Sequence, residues 1–183
     1  MSGLANNYKA QGKYTEADEL YRECLESYKR VLGPDHPNTL STMNGLANNY
    51  SSQRKYTEAD ELYRVCLEKR KRVLGPDHPD TLSTMNNLAI NYKAQGKYTE
   101  ADELYRVCLE KRKRVLGTDH PDTLMTMNNL AANYKAQGKY TEADELHREC
   151  LEKRIRVLGS DHPHTLTTMN NLANNYKASV YFP

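Results

Sequence analysis

The stretch from Thr39 to Asp80 reads TLSTMNGLANNYSSQRKYTEADELYRVCLEKRKRVLGPDHPD. Leu40, Met43, Leu46, Ala47 and Tyr50 recur in it at steps of three or four, which places them on one stripe of an α-helix. A second periodic run carries Ala59, Leu62, Tyr63, Cys66, Leu67, Val73 and Leu74, and Gly75-Pro76 ends it. Acids fill the start of this run (Glu58, Asp60, Glu61) and bases its end (Lys69 to Arg72), the arrangement that suits a helix dipole. Thr57 with Asp60 three residues on reads as a short-armed capping box opening the second helix. The stretch is therefore two helices, apolar on more than one side, and unable to bury that surface alone.

The next 42 residues, Thr81 to Asp122, differ from it at six places only: Gly45/Asn87, Asn48/Ile90, Ser51/Lys93, Ser52/Ala94, Arg54/Gly96 and Pro76/Thr118. The period extends along the chain. Cys24, Cys66, Cys108 and Cys150 share it, as do Tyr8, Tyr50, Tyr92, Tyr134 and Tyr176. A fixed period of this size signals stacked supersecondary units. Gly96 and Gly138 stand where the first helix should stop in a left-handed residue. Arg54 holds that place in one unit and should strain the turn by about 1 kcal/mol.

Composition agrees with a thin, distributed core. The 183 residues include 14 Tyr, one Phe and no Trp, with 38% hydrophobic residues overall, few for one deep core yet too many for a disordered chain. The formal charge of +2 supplies no global attraction to nucleic acid or an anionic membrane. No apolar run approaches the ~18 residues of a membrane span, and the N-terminus lacks a basic-then-apolar signal segment. With four reduced thiols, the expectation is a cytoplasmic protein.

The pattern Met43-x-x-Leu46-Ala47-x-x-Tyr50, followed by Ala59, Tyr63 and Cys66, resembles the tetratricopeptide repeat, with Met and Cys where that family often has Trp and Ala. The longer period and the recurrent Leu-Gly-Pro-Asp-His-Pro at Leu74 to Pro79 are similar to kinesin light chain type repeats. The resemblance implies an all-α, right-handed superhelical solenoid of antiparallel helix hairpins. It also implies a concave groove, lined by the first helices, that receives extended peptides. The heptad coiled coil by which kinesin light chain binds its motor has no counterpart here, so motor attachment is not implied. We divide the chain as a single array over 1–183: a partial unit 1–38, units 39–80, 81–122 and 123–164, a terminal first helix 165–178 and a tail 179–183.

Carried over residue by residue, the groove holds Asn6, Lys9, Asn44, Asn48, Asn86, Asn87, Ile90, Lys93, Asn128, Asn129, Ala132, Lys135, Asn170, Asn171, Asn174 and Lys177. Amides both donate to and accept from a peptide backbone, and lysines meet carboxylates. One groove column runs Asn6, Asn48, Ile90, Ala132, Asn174, whereas the core column Leu4, Leu46, Leu88, Leu130, Leu172 does not vary.

Other constellations carry less. One Cys and one regular His per unit, separated by a helix end, do not make a structural zinc site, so no metal or cofactor is expected. Cysteines at equivalent stacked positions lie too far apart for disulfides and read as small packing residues. The Asp-His-Pro tripeptide is repeated at each loop, unlike a catalytic cluster, and its proline argues that Asp77 or His78 caps the next helix. The expectation is that the chain is not an enzyme. The quartets Lys69 to Arg72 and Lys111 to Arg114, with Lys153, Arg154 and Arg156, would align as a basic ridge, an alternative platform for a polyanion, although helix-end placement already accounts for them. Neither end has a strongly polar cap, which points to end-to-end self-association and gives a further alternative, a structural spacer that assembles in this way.

Overall fold

In a computed structural model of the chain, each internal first helix starts at the proline of Asp-His-Pro. His78 is the N-cap of the helix Pro79–Ala94, and its Nδ1 accepts from the Asp80 amide at 3.1 Å. His36, His120 and His162 accept from the amides of Asn38, Asp122 and His164 at 3.1, 3.1 and 3.2 Å. Proline at the first helical position has no amide to orphan, and histidine, not the preceding aspartate, satisfies one that remains. The threonine two residues after each proline pins the loop: Thr39, Thr81, Thr123 and Thr165 donate to the carbonyls of Gly33, Gly75, Gly117 and Gly159 at 2.8–2.9 Å.

The structure describes residues 2–181, with the side chains of Ser2 and Tyr181 left aside. Among them are nine helices: α1 (Ser2–Ala10), α2 (Tyr14–Leu32), α3 (Pro37–Ser52), α4 (Tyr56–Val73), α5 (Pro79–Ala94), α6 (Tyr98–Leu116), α7 (Pro121–Ala136), α8 (Tyr140–Leu158) and α9 (Pro163–Tyr181). They fall into two compact units that divide between Gln95 and Gly96. In the first, α1 to α5 pack each against the next; in the second, α6 to α9 do the same. The stripe Leu40, Met43, Leu46, Ala47 and Tyr50 is buried, as are Ala59, Tyr63, Cys66 and Leu67. No helix among the described residues is long and apolar enough to cross a membrane.

Three local expectations are corrected. The second helix opens at Tyr56, not Thr57, and its N-cap Lys55 makes no side-chain hydrogen bond, so Thr57 and Asp60 form no capping box. The tight turn sets this start: the Lys55 amide donates back to the Tyr50 carbonyl at 2.9 Å, and the helix begins immediately after. Asp60 turns instead to Arg64, at 3.1 Å. Val73 is exposed, because Arg70, one turn past Cys66, takes the inward position. Finally, α9 starts at Pro163 and runs through Ala178 to Tyr181, where the Gln-Gly stop that follows α1, α5 and α7 has been replaced by Ser179-Val180. The part of the tail at 182–183 lies outside the described residues.

The glycine stops behave as their chemistry requires. Gly12, Gly96 and Gly138 sit at φ of 76–77°, and Arg54 at the matching place has φ 62°, the one non-glycine with positive φ among the described residues.

Candidate functional site

The first helices bring the sequence-selected residues to the surface unevenly. In the first unit Lys9, Asn48, Asn87 and Ile90 line one open cavity of about 190 Å³ with Ser51, Ser52 and Tyr63. Partial burial pulls the Lys9 ammonium below the usual lysine range. Asn48 has one polar atom engaged: its Oδ1 accepts from the Tyr63 hydroxyl at 2.5 Å, and Asn6 Oδ1 accepts from Tyr21 in the same way at 2.5 Å. Asn44 and Lys93 are half-buried. Asn86 is 1% exposed and lies beneath the surface, not on it.

In the second unit Asn171 Nδ2 donates to Asn128 Oδ1 at 3.2 Å, joining α9 to α7. Asn129, Ala132 and Lys135 are half-buried, while Asn170, Asn174 and Lys177 are exposed. Each unit therefore carries its own polar strip on its first helices.

The column that varies along the array has a structural partner that sequence reasoning missed. Tyr21 and Tyr63 hydrogen-bond to Asn6 and Asn48 fifteen residues earlier, whereas the residue fifteen before Tyr105 in the sequence is Ile90, which has no polar side-chain atom. The Tyr105 hydroxyl is buried and has no hydrogen-bond partner among the described residues. Burial pushes the Tyr63 and Tyr105 phenols well above the usual tyrosine range. In the first unit this column therefore serves the buried tyrosines as well as the surface.

The basic ridge is largely dismantled. Arg70, Arg112 and Arg154 are 4%, 1% and 5% exposed. Arg70 Nη1 donates to the Asp80 carbonyl and to Thr84 Oγ1, both at 2.8 Å, and its Nη2 reaches Ser41 Oγ at 3.0 Å. Lys69 and Arg72 both bind Asp35, the former at 2.5 Å, and Arg156 binds Asp119 at 2.6 Å. The Lys69 ammonium, with Arg72 beside it, holds the Asp35 carboxyl below the usual range. Lys71, Lys113 and Lys153 pair with Glu68, Glu110 and Glu149. A phosphate backbone would have to compete with these partners for nearly every charge.

A second missed column is asparagine. Asn49, Asn91, Asn133 and Asn175 are buried, and their Nδ2 groups donate to the carbonyls of Tyr14, Tyr56, Tyr98 and Tyr140 at 2.9–3.0 Å. Each ties a first helix to the opening residue of the preceding second helix. Invariance of the asparagine column through the repeats was the signal available in the sequence. The cysteines occupy the space between helices: all four are buried and outside any disulfide, and Cys66 and Cys150 donate to the carbonyls of Leu40 and Leu124 at 3.3 Å.

Comparison with known proteins agrees with this architecture. Models of the tetratricopeptide repeat match residues 1–72 and, as two successive copies, 81–122 and 123–164. No curated protein sequence matches the chain. Among solved structures, the nearly identical TPR-like repeats of a putative kinesin light chain from Podosopora anserina are 30% identical, with a TM-score of 0.83, covering 99% of this chain and 86% of that one. A second structure of that protein gives 30% identity, a TM-score of 0.84 and coverage of 99% and 85%. BtubC (BKLC) from P. vanneervenii is 26% identical, with a TM-score of 0.83 over 98% of this chain and 71% of that one. Repeats of this kind generally mediate protein–protein interaction and typically build non-catalytic scaffolds. The chain belongs to the tetratricopeptide repeat family, as an all-α repeat solenoid of the kinesin light chain-like kind.

Proposed function

We propose that the chain is a non-catalytic interaction scaffold that binds a peptide or protein segment along the polar strip of its first helices. The observation that carries this reading is the cavity that gathers Lys9, Asn48, Asn87 and Ile90, four residues selected from the sequence for peptide contact. An amide and an ammonium beside an exposed isoleucine suit a backbone that needs both donors and acceptors and a side chain that needs apolar cover. Buried cysteines outside any disulfide favour a cytoplasmic setting.

The test is selection of a binding peptide from a random display library, followed by Lys9→Ala, Asn87→Ala and Lys135→Ala. Each should weaken binding by about tenfold at an unchanged denaturation midpoint. Unchanged affinity in all three would sink the reading.

A second reading, self-association, draws on α9. Leu166 is 50% exposed where its counterpart Leu124 is 1% exposed, and Tyr176 is likewise uncovered. A second copy could cover that face. Sedimentation as a monomer at high micromolar concentration would dispose of this reading without touching the first.

A further inference from the structure

The first hairpin departs from the later ones at two informative positions. Tyr28 stands in register with Arg70, Arg112 and Arg154, and Gly45 with Asn87, Asn129 and Asn171. Both line one cavity of about 200 Å³, together with Tyr21, Asn38, Ser41 and Thr42. At ~30 Å³ per water molecule, this is room for several waters or for one planar guanidinium with the methylene that bears it. Gly45 lets the Tyr21 ring lie against α3 as one wall of the cavity, since a Cβ there would stand 2.8 Å from that ring.

In the later copies the corresponding place is filled from within. Arg70 Nη1 donates to the Asp80 carbonyl and Thr84 Oγ1, both at 2.8 Å. Arg112 donates to the Asp122 carbonyl and Thr126 Oγ1, both at 2.7 Å, and Arg154 to the His164 carbonyl and Thr168 Oγ1 at 2.7 and 2.6 Å. The counterparts of these acceptors in the first hairpin are the Asn38 carbonyl and Thr42 Oγ1. Thr42 is 3% exposed and donates to the Asn38 carbonyl at 2.9 Å, as Thr84 donates to Asp80 at 3.1 Å. The acceptor pair is thus preserved, and the arginine that uses it elsewhere is replaced by a phenol.

We propose that this cavity receives the guanidinium of an arginine side chain from a bound segment, which donates to the Asn38 carbonyl and Thr42 Oγ1 and meets the ring of Tyr28. Fixed acceptors favour the rigid fork of arginine over a lysine ammonium, and an aromatic wall favours a cation over its neutral analogue. The lining residues include no carboxylate, and Arg70 reaches Ser41 from α4, so recognition does not run on opposite charge. Binding therefore holds as salt is raised, unlike arginine adhering to surface acids. The inference deepens the groove reading by naming a side chain that a bound segment presents, and a small probe tests the cavity apart from that reading.

The experiment titrates the isotope-labelled full chain with N-acetyl-arginine methylamide, and with the lysine and citrulline analogues, while amide resonances are followed. The expected result is saturable shifts centred on Tyr28 and on Asn38 to Gly45, insensitive to added salt, with lysine and citrulline about tenfold weaker. Tyr28→Arg should abolish the response by supplying the arginine that later units carry, with resistance to denaturant no lower than before. Thr42→Val, which keeps shape and removes one acceptor, should weaken binding by about tenfold and carries the test if Tyr28→Arg does not fold. No saturable shift at these residues, equal binding of citrulline, or unchanged binding in folded Tyr28→Arg or Thr42→Val would overturn the proposal. Loss of this cavity alone would leave selected-peptide binding sensitive to Lys135→Ala, whereas failure of the groove reading would leave the arginine response in place.

Discussion

Arg70 Nη1 donates to Thr84 Oγ1 at 2.8 Å, a buried bond that ties the end of α4 to the first turns of α5. The same nitrogen serves the Asp80 carbonyl, and Nη2 serves Ser41 on α3, so one side chain holds three helices. No carboxylate is among these hydrogen-bond partners. Neutral oxygens take hydrogens from Nη1 and Nη2, the buried Nε has no hydrogen-bond partner among the described residues, and the stem fills the inward position that Val73 leaves. Truncation removes that packing and leaves buried acceptors without their donor. Arg70→Ala should cost about 2–4 kcal/mol, read as a lower urea midpoint. Arg70→Lys should recover only part of the loss, because an ammonium cannot span Thr84 and Ser41 together.

The histidine caps yield a second expectation. His78 Nδ1 accepts from the Asp80 amide, so His78→Ala orphans a helical donor and should lower stability by about 1 kcal/mol. His78→Asn offers an oxygen in a similar place and should retain most of it. Equal losses for alanine and asparagine would show that the imidazole serves packing and not the amide.

How far the sequence could be read follows from which interactions repeat at helical spacing. Leu40, Met43, Leu46 and Tyr50 announced a buried stripe by periodicity alone, and Gly96 and Gly138 announced the stops. Arg70 was misread as surface because a basic helix end has a sufficient local explanation in the dipole, and local rules do not see the partner on α5. Its column, invariant through Arg112 and Arg154, held the information. The asparagines divided for a similar reason: Asn49 and Asn44 look alike in composition, yet Asn49 reaches the Tyr14 carbonyl on another helix, a contact thirty-five residues away along the chain. The polar strip was legible as a helix face. Its depth was not, since Asn86 sinks beneath it while Asn87 lines a cavity.

Arg54 provides a test of backbone strain in an otherwise repeated turn. Its φ of 62° matches the 76–77° of Gly12, Gly96 and Gly138, and a side chain at such a residue costs free energy that glycine avoids. Glycine in turn loses more chain entropy on folding, which offsets part of the gain. Arg54→Gly should stabilise the first unit by up to about 1 kcal/mol, and Arg54→Ala should gain nothing, because it keeps the Cβ. Equal denaturation midpoints for the glycine variant and the parent would place the strain elsewhere.

The buried tyrosines set the alkaline limit of stability. Burial holds the Tyr63 and Tyr105 phenols well above their unfolded range, so near pH ~10 the unfolded chain releases protons that the folded chain keeps. With fewer protons bound in the unfolded state, stability is intact below that pH and falls as pH rises through it. Tyr63→Phe should flatten this fall by removing one of the contributing groups. Its cost at neutral pH should stay near about 1 kcal/mol, because half-exposed Asn48 can turn its freed oxygen to water. Urea midpoints of parent and variant, measured on both sides of pH ~10, should therefore converge with rising pH, and midpoints that stay parallel would show that other groups govern the alkaline loss.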